Sequence, residues 1–207
     1  KDYLFGKDYN NVMLSTNKVT AEQLNNFYNL ADAQILLSSA EGWGLSLTES
    51  LLTGTPFIAN VTGGMQDQMR FVDENGQWYT NSEDVPSNHK GTYKEHGEWA
   101  FPVYPTSRSI QGSPPTPYIF DDRCRWEDAT EKIQELYGLS RKERKAKGLK
   151  GREWALSDEA GFTAKIQGER VIEAFDTLFK TWKPREDFEI INATQQKGKY
   201  LNHKLVY

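Results

Sequence analysis

The feature that most restricts the fold is a pair of short apolar runs, Gln34-Ile35-Leu36-Leu37-Ser38 and Phe57-Ile58-Ala59-Asn60, with a helical stretch between them. The first run is too short for a helix and is bounded by small polar residues, which suits a strand buried on both faces. Between the runs, Gly44 to Thr53 reads as a helix that ends at Gly54, the favoured C-cap residue, with Pro56 just beyond. Upstream, Asn11 to Ser15 reads as a further short strand. Thr20 with Gln23 three residues on is a capping-box pattern, and behind it Leu24, Phe27, Tyr28 and Ala31 share one helical face. Leu24, Phe27 and Tyr28 are expected in the core. Strand, helix, strand, helix, strand with short links predicts an α/β fold with a parallel sheet and flanking helices.

The middle of the chain has a different texture. Asn75-Gly76 marks a turn and Gln77 to Thr80 reads as a short strand. From Asn81 to Pro117 no periodicity lasts, yet the segment holds Tyr93, Trp99, Phe101 and Tyr104. It is read as a structured, aromatic-bearing insertion of 81–117 with a functional role, because long loops in compact domains are usually functional or disordered. The last third is helical. Trp126, Ala129, Ile133, Leu136 and Tyr137 make an amphipathic stretch, and Ser140 with Glu143 repeats the capping box before a basic helix. Phe162, Ile166, Ile172, Phe175, Phe179 and Trp182 line a long helix that Pro184 closes. Residues 1–184 are thus expected to form one domain, with 185–207 a tail of unassigned structure.

Composition removes several classes. A net charge of -4 gives no global reason to bind nucleic acid. One cysteine, Cys124, excludes an internal disulfide framework. His89, His96 and His203 lack metal-ligand spacing and are expected at the surface. Nothing approaches the roughly 18 consecutive apolar residues of a membrane span, and Lys1-Asp2-Tyr3-Leu4 does not open a signal peptide, so a cytoplasmic location is expected. The run Arg141-Lys142-Glu143-Arg144-Lys145-Ala146-Lys147 reads first as a solvated helix face. Peripheral contact with anionic lipid is its second reading.

The informative segment runs from Ser38 to Ser50, joining the C-terminal end of a strand to the start of a helix. Ligands bind at that edge of open α/β sheets. The first turn of a helix presents unpaired backbone N–H groups and a positive dipole end, so it can hold a diphosphate. Gly42 and Gly44 carry no side chain to block close approach of the phosphates. Glu49, more than a turn into the helix, can accept hydrogen bonds from ribose hydroxyls on one side. Glu41, on the loop ahead of the helix, can reach sugar hydroxyls on the other. Carboxylates suit this because they accept through two oxygens and donate none.

These residues also carry a resemblance. Glu41-x7-Glu49, within Glu-Gly-Trp-Gly-Leu-Ser-Leu-Thr-Glu-Ser, resembles the E-x7-E motif of retaining GT-B glycosyltransferases, notably glycosyltransferase family 4. Leu24 to Ala33 resembles the helix and Ala-Asp step before the family's strand, while Gly54-Thr55-Pro56-Phe57-Ile58-Ala59 and Gly63-Gly64 resemble its next strand and Gly-Gly loop. The close resemblance covers about residues 11 to 80. It implies the Rossmann-like C-terminal half of a GT-B fold with a helical C-terminus. It implies that Glu41 contacts the donor sugar at its reacting centre and that Glu49 binds the nucleotide ribose. Amides around Gly42, Trp43, Gly44 and Leu45 would meet the phosphates, and Gly63 and Gly64 would line the cleft.

The implied reaction is transfer of a hexose with retention from a UDP-, GDP- or ADP-sugar to a glycan, lipid or protein acceptor, as in polysaccharide biosynthesis. UDP- and GDP-linked donors are the leading expectation. No metal or other cofactor is expected, since protein cations and helix amides offset leaving-group charge and no D-x-D motif lies near the strands. The resemblance further implies that the family's first strand and helix, and its N-terminal acceptor domain, precede Lys1, so that this chain alone is an incomplete, inactive fragment. The competing expectations are a GT-B sugar-nucleotide epimerase and a non-catalytic nucleotide- or carbohydrate-binding module. In the last, aromatics such as Trp99 and Tyr104 would stack on a sugar; a small core that pins the loop is the preferred reading of them.

Overall fold

A computed structural model describes residues 11–79, 86–113 and 115–184. Its elements in chain order are α1 (Ala21–Leu30), β1 (Gln34–Leu36), α2 (Leu45–Thr53), β2 (Phe57–Asn60), α3 (Met65–Met69), a 3-10 turn at Asn88–Lys90, β3 (Ala100–Val103), β4 (Ser107–Ser113), β5 (Thr116–Arg123), α4 (Trp126–Gly138), α5 (Arg141–Ala155) and α6 (Ala164–Thr181). The chain divides into two compact units, Lys1–Gln167 and Gly168–Tyr207.

In the first unit, β1, β2 and β3 form a parallel sheet in that order, with Ile35 opposite Ile58 and Ile58 opposite Phe101. The central strand is buried along its whole length. Its side chains alternate between two cores, as strand geometry requires. Phe57 and Ala59 join Leu47 and Leu51 of α2, Met65 and Met69 of α3, and Trp154 of α5. Ile58 turns the other way, with Phe101 and Val103 of β3 against Ala129 and Leu136 of α4. Helices on both faces of a parallel sheet make this a Rossmann-like α/β layer structure.

The helix termini behave as their residues dictate. Thr20 and Gln23 complete a reciprocal capping box on α1, and Ser140 and Glu143 do the same on α5. Gly54 ends α2 at φ 77°, a conformation that disfavours any residue with a Cβ. The same turn meets Gly148 of α5 backbone to backbone: a Cβ on Gly148 would lie 2.0 Å from the Gly54 carbonyl oxygen. Two glycines therefore set how closely α5 approaches the α2–β2 turn.

Several expectations need correction. Asn11 to Ser15 forms no strand. Met13 is 92% exposed, β1 pairs only with β2 among the described residues, and an extended segment with no neighbour has no ladder to stabilise it. β1 is an edge strand rather than one buried on both faces, and Ile35 stays 45% exposed. Phe27 is likewise exposed, so Tyr28 is the buried residue of α1. The Gln77–Thr80 strand reduces to one antiparallel bridge, Val72 to Trp78, beyond the turn at Gly76; Thr80 lies outside the described residues.

The segment 81–117 supplies the third strand of the sheet. β3 escaped notice because it contains Pro102, which argues against a central strand; β3 is an edge, where the missing N–H is tolerated. Of the predicted stripe on α4, Ala129 and Leu136 are buried, whereas Trp126 and Tyr137 are exposed. Phe162 precedes α6 and packs edge-on against Trp154, while α6 itself buries no residue. His96 is half-buried against the edge of Phe71, not a surface residue. His203 and the tail 185–207 lie outside the described residues.

Candidate functional site

The site grows from the C-terminal tips of β1 and β2. After β1 the chain passes through Ser38 to Trp43 and enters α2 at Gly44, whose φ of 83° makes it a glycine N-cap with no side-chain hydrogen bond. The caps Ser, Thr and Asp would fill the first-turn amides with their own oxygens; a glycine leaves them to a ligand. Leu47 N–H bonds the Gly44 carbonyl, while the amides ahead of it in the first turn have no intrahelical acceptor. Leu45 starts the helix with its side chain 72% exposed.

A closed polar ring fixes this loop. The Trp43 indole N–H donates to the Thr48 hydroxyl at 2.9 Å, which donates to Gln68 Oε1 at 2.8 Å. Gln68 Nε2 returns to the carbonyls of Trp43 at 2.6 Å and Gly44 at 3.2 Å. Gln68 is fully buried, so each of these bonds would be costly to leave unmade. The Trp43 ring meets Phe162 edge-on at 5.4 Å, and Phe162 meets Trp154, which stacks on Trp99 at 4.9 Å. Trp43 thus turns its side chain towards the core. Trp99, 6% exposed, donates its indole N–H to the Gln68 carbonyl. It belongs to the core, which rules it out as a sugar-stacking platform.

Gly63 and Gly64 form the facing wall. The Gly64 N–H donates to the Gly42 carbonyl at 3.2 Å. A Cβ on Gly63, at φ 49°, would stand 1.8 Å from the Glu41 carbonyl oxygen, and one on Gly64 would stand 2.4 Å from that of Gly42. The Gly-Gly pair is therefore more than a tight turn: it lets two loops touch main chain to main chain.

Between these loops lies a cavity of about 600 Å³. Glu41, Gly42, Gly63 and Gly64 all line it, so four of the sequence-selected residues converge. Glu49 does not. It sits on the rim of a separate depression of about 220 Å³ with Leu24 and Tyr28. The Tyr28 hydroxyl donates to Glu49 Oε2 at 2.9 Å. Burial first, then the hydrogen bond to and charge of Glu49, push the Tyr28 phenol well above its ordinary value, so it remains a donor. The backbone beneath this pair is pinned as well: Thr55 donates to the Tyr28 carbonyl and Thr53 to that of Glu49. The amide end of α2 lies between the two carboxylates in the chain.

Sequence reasoning missed the hairpin β4–β5. It brings Arg108, Phe120 and Asp122 to the cavity wall. Asp122 N–H donates to the Ser39 carbonyl at 2.7 Å, and Asn60 Nδ2 donates to the Asp122 carbonyl at 2.6 Å, which ties the hairpin to the tips of β1 and β2. The Asp122 side chain, nearly fully buried, accepts from Thr62 at 2.8 Å. Its other oxygen is 2.9 Å from Arg108 Nε, close enough for an ion pair though off the hydrogen-bond direction. Arg108 also lies 4.0 Å above the Phe120 ring and 3.2 Å from His89 Nδ1. Burial, then the Arg108 charge, lowers the His89 pKa, leaving a neutral ring to accept from Arg108. Asp67 opens on the same cavity, and burial raises its carboxyl pKa. No local motif announces Arg108 or Asp122; the pairing of β4 with β5, which sets them opposite each other, is what joins them.

Among the described residues, the cavity wall therefore holds three carboxylates, from Glu41, Asp67 and Asp122, against the guanidinium of Arg108. Among the described residues, no group of three or more His, Cys, Asp and Glu side chains is set to hold a metal ion. No helix among them is long and apolar enough to cross a membrane.

A parallel α/β sheet flanked by helices, with a glycine-capped helix terminus at its C-terminal edge, is a Rossmann-like arrangement. Residues 8–85 match the family model of the glycosyl transferases group 1, which supports glycosyl transfer on a GT-B framework. No curated protein matches the chain significantly.

Proposed function

We propose that this chain is the donor-binding half of a retaining, family 4-like hexosyltransferase that takes a UDP- or GDP-linked sugar and delivers the hexose to a glycan, lipid or protein acceptor. The observation that carries the reading is the division of the two carboxylates around the α2 amide end, Glu41 in the cavity and Glu49 beside Tyr28. The diphosphate lies over the first turn of α2, whose amides have no side-chain cap. The hexose enters the cavity. A wall with three carboxylates and one arginine suits a neutral, hydroxyl-rich ligand better than an anion. The ribose reaches Glu49, which Tyr28 holds in place.

In this arrangement Glu41 stabilises positive charge developing at the anomeric carbon as the diphosphate leaves. The α2 amides take up the opposite charge on the leaving oxygen. Gly63 and Gly64 keep the cavity mouth free of side chains. An acceptor-binding domain and an acceptor with a free hydroxyl complete the reaction.

The test uses the full-length protein with its donor. The anomeric configuration of the product, read by NMR before mutarotation, should equal that of the donor; inversion contradicts the retaining assignment. Glu41→Gln should lower kcat far more than donor affinity, because its contact strengthens only as charge develops. Equal losses in both would reduce Glu41 to a ground-state contact.

A further inference from the structure

Two cavities at opposite ends of α2 differ in charge. The one at its N-terminal end carries three carboxylates and one arginine. The one at its C-terminal end, of about 510 Å³, carries Arg141, Arg144 and Lys145 against one carboxylate, Asp32. Arg144 and Lys145 follow Arg141 by three and four residues, which sets the three cations towards one side of α5, and the cavity's other walls are the end of α1 and the α2–β2 turn.

The cations are not equivalent. Arg144 is 18% exposed and is held by Asp32 Oδ1 at 3.2 Å and by the Leu139 carbonyl, so it shapes the wall and has its counter-ion. Arg141 and Lys145 form no ion pair among the described residues. The nearest acid in sequence, Glu143, is engaged elsewhere, accepting from the Ser140 N–H at 2.7 Å to cap α5. Two like charges four residues apart on a helix repel. The wall behind them is rigid, since Gly148 and Gly54 fix the separation of α5 from the turn.

The opposite wall narrows the ligand. It is made of helix C-termini, Asn29 and Leu30 of α1 with its cap Ala31 and Thr53 of α2 with its cap Gly54, where carbonyl groups lack intrahelical donors. Such a wall repels a bare anion but accepts hydroxyl groups. We infer that this cavity binds a phosphate ester that also carries hydroxyls, its phosphate held by Arg141 and Lys145 and its hydroxyls facing the helix ends. A guanidinium fork and a flexible ammonium together match the free oxygens of a phosphate ester. The site is separate from the donor cavity and does not depend on the transferase reading.

Calorimetry on the purified chain at low salt tests this with glycerol 3-phosphate, and co-sedimentation tests it with vesicles of equal parts phosphatidylglycerol and phosphatidylcholine. Binding of glycerol 3-phosphate identifies a soluble ligand; binding of vesicles alone identifies a lipid headgroup. In either case the double variant Arg141→Glu/Lys145→Glu should weaken binding at least about tenfold, the loss expected when charge-assisted contacts become repulsive. Lys142→Glu makes the same kind of charge change on α5 outside the cavity and should alter binding less than about twofold. All three side chains are exposed, so the variants should fold. In the wild-type chain, amide NMR shifts on adding glycerol 3-phosphate or lipid should centre on Arg141 to Lys145 and Gly54 to Pro56. Absence of binding to both probes, shifts confined to the Glu41 cavity, or equal weakening by Lys142→Glu and the double variant would overturn the inference.

Discussion

Replacing Gly63 by alanine tests whether the cavity depends on main-chain contact between two loops. The new Cβ would lie 1.8 Å from the Glu41 carbonyl oxygen, well inside any tolerable separation. The oxygen belongs to backbone and cannot swing aside, so the two loops must part by more than about 1 Å. Overpacking of that kind costs about 1–3 kcal/mol. Holding alanine at the left-handed φ of 49° adds about 1–2 kcal/mol. The sum is about 2–5 kcal/mol of folding stability. Gly42 is the internal control: it lies on the same cavity, yet a Cβ there meets nothing within 4 Å. Gly42→Ala should therefore stay within about 0.5 kcal/mol of wild type, as surface changes usually do. Urea titration followed by tryptophan fluorescence measures both. A Gly63→Ala variant as stable as wild type, or a Gly42→Ala variant as damaged as Gly63→Ala, would refute the reasoning.

Three further outcomes follow from the same geometry. Gln68→Met empties the centre of the polar ring, leaves the Thr48 hydroxyl without its acceptor and the Trp43 carbonyl without its donor, and should cost about 2–3 kcal/mol in urea titration; a loss below about 0.5 kcal/mol would show the ring to be incidental. Asp122→Ala removes the counter-ion of Arg108 and the acceptor of Thr62, and amide exchange in 107–123 should accelerate by about tenfold while α4 stays protected; unchanged exchange would mean the backbone bonds alone seat the hairpin. Burial lowers the His96 pKa below its ordinary 6.5, and burial followed by the Arg108 charge does the same for His89. The unfolded chain then binds protons first, so stability is complete above that ordinary value and declines as pH falls from it towards the folded pKa. His96→Phe should flatten that decline, and an unaltered slope would assign it to other groups.

The near-sequence contacts were legible because local chemistry fixes them. Thr20 and Gln23, Ser140 and Glu143, and Gly54 each specify a helix end through atoms within four residues. The corner from Glu41 to Glu49 was legible for the same reason, since strand end, glycines and helix start are contiguous. Gly63 and Gly64 were recognisable as a pair, but the main-chain approaches that demand them are to the carbonyls of Glu41 and Gly42, which sequence distance hides. Tyr28 was expected in the core and is there; its hydroxyl on Glu49 was not foreseen, because the pairing arises from the packing of α1 on α2. β3 and the hairpin were invisible for physical reasons. Pro102 and the polar run through Ser107, Ser109 and Gln111 give no apolar alternation; β3 is defined by pairing with β2, far back in the chain, and β4 by its hairpin with β5. Phe27 and Trp126 carry the opposite lesson: a helical stripe records apolar residues without stating how wide a face its neighbours cover.

Calorimetric titration of UDP- and GDP-hexoses into the chain and its Glu49→Ala variant bears most directly on the central assignment. One of the two nucleotide sugars should bind with micromolar to millimolar affinity, and Glu49→Ala should weaken it by about tenfold or more, the loss for removing a charge-assisted hydrogen-bond acceptor. A variant that binds the same donor as tightly as wild type, or a wild-type chain that binds neither, would contradict the placement of a nucleotide ribose at Glu49.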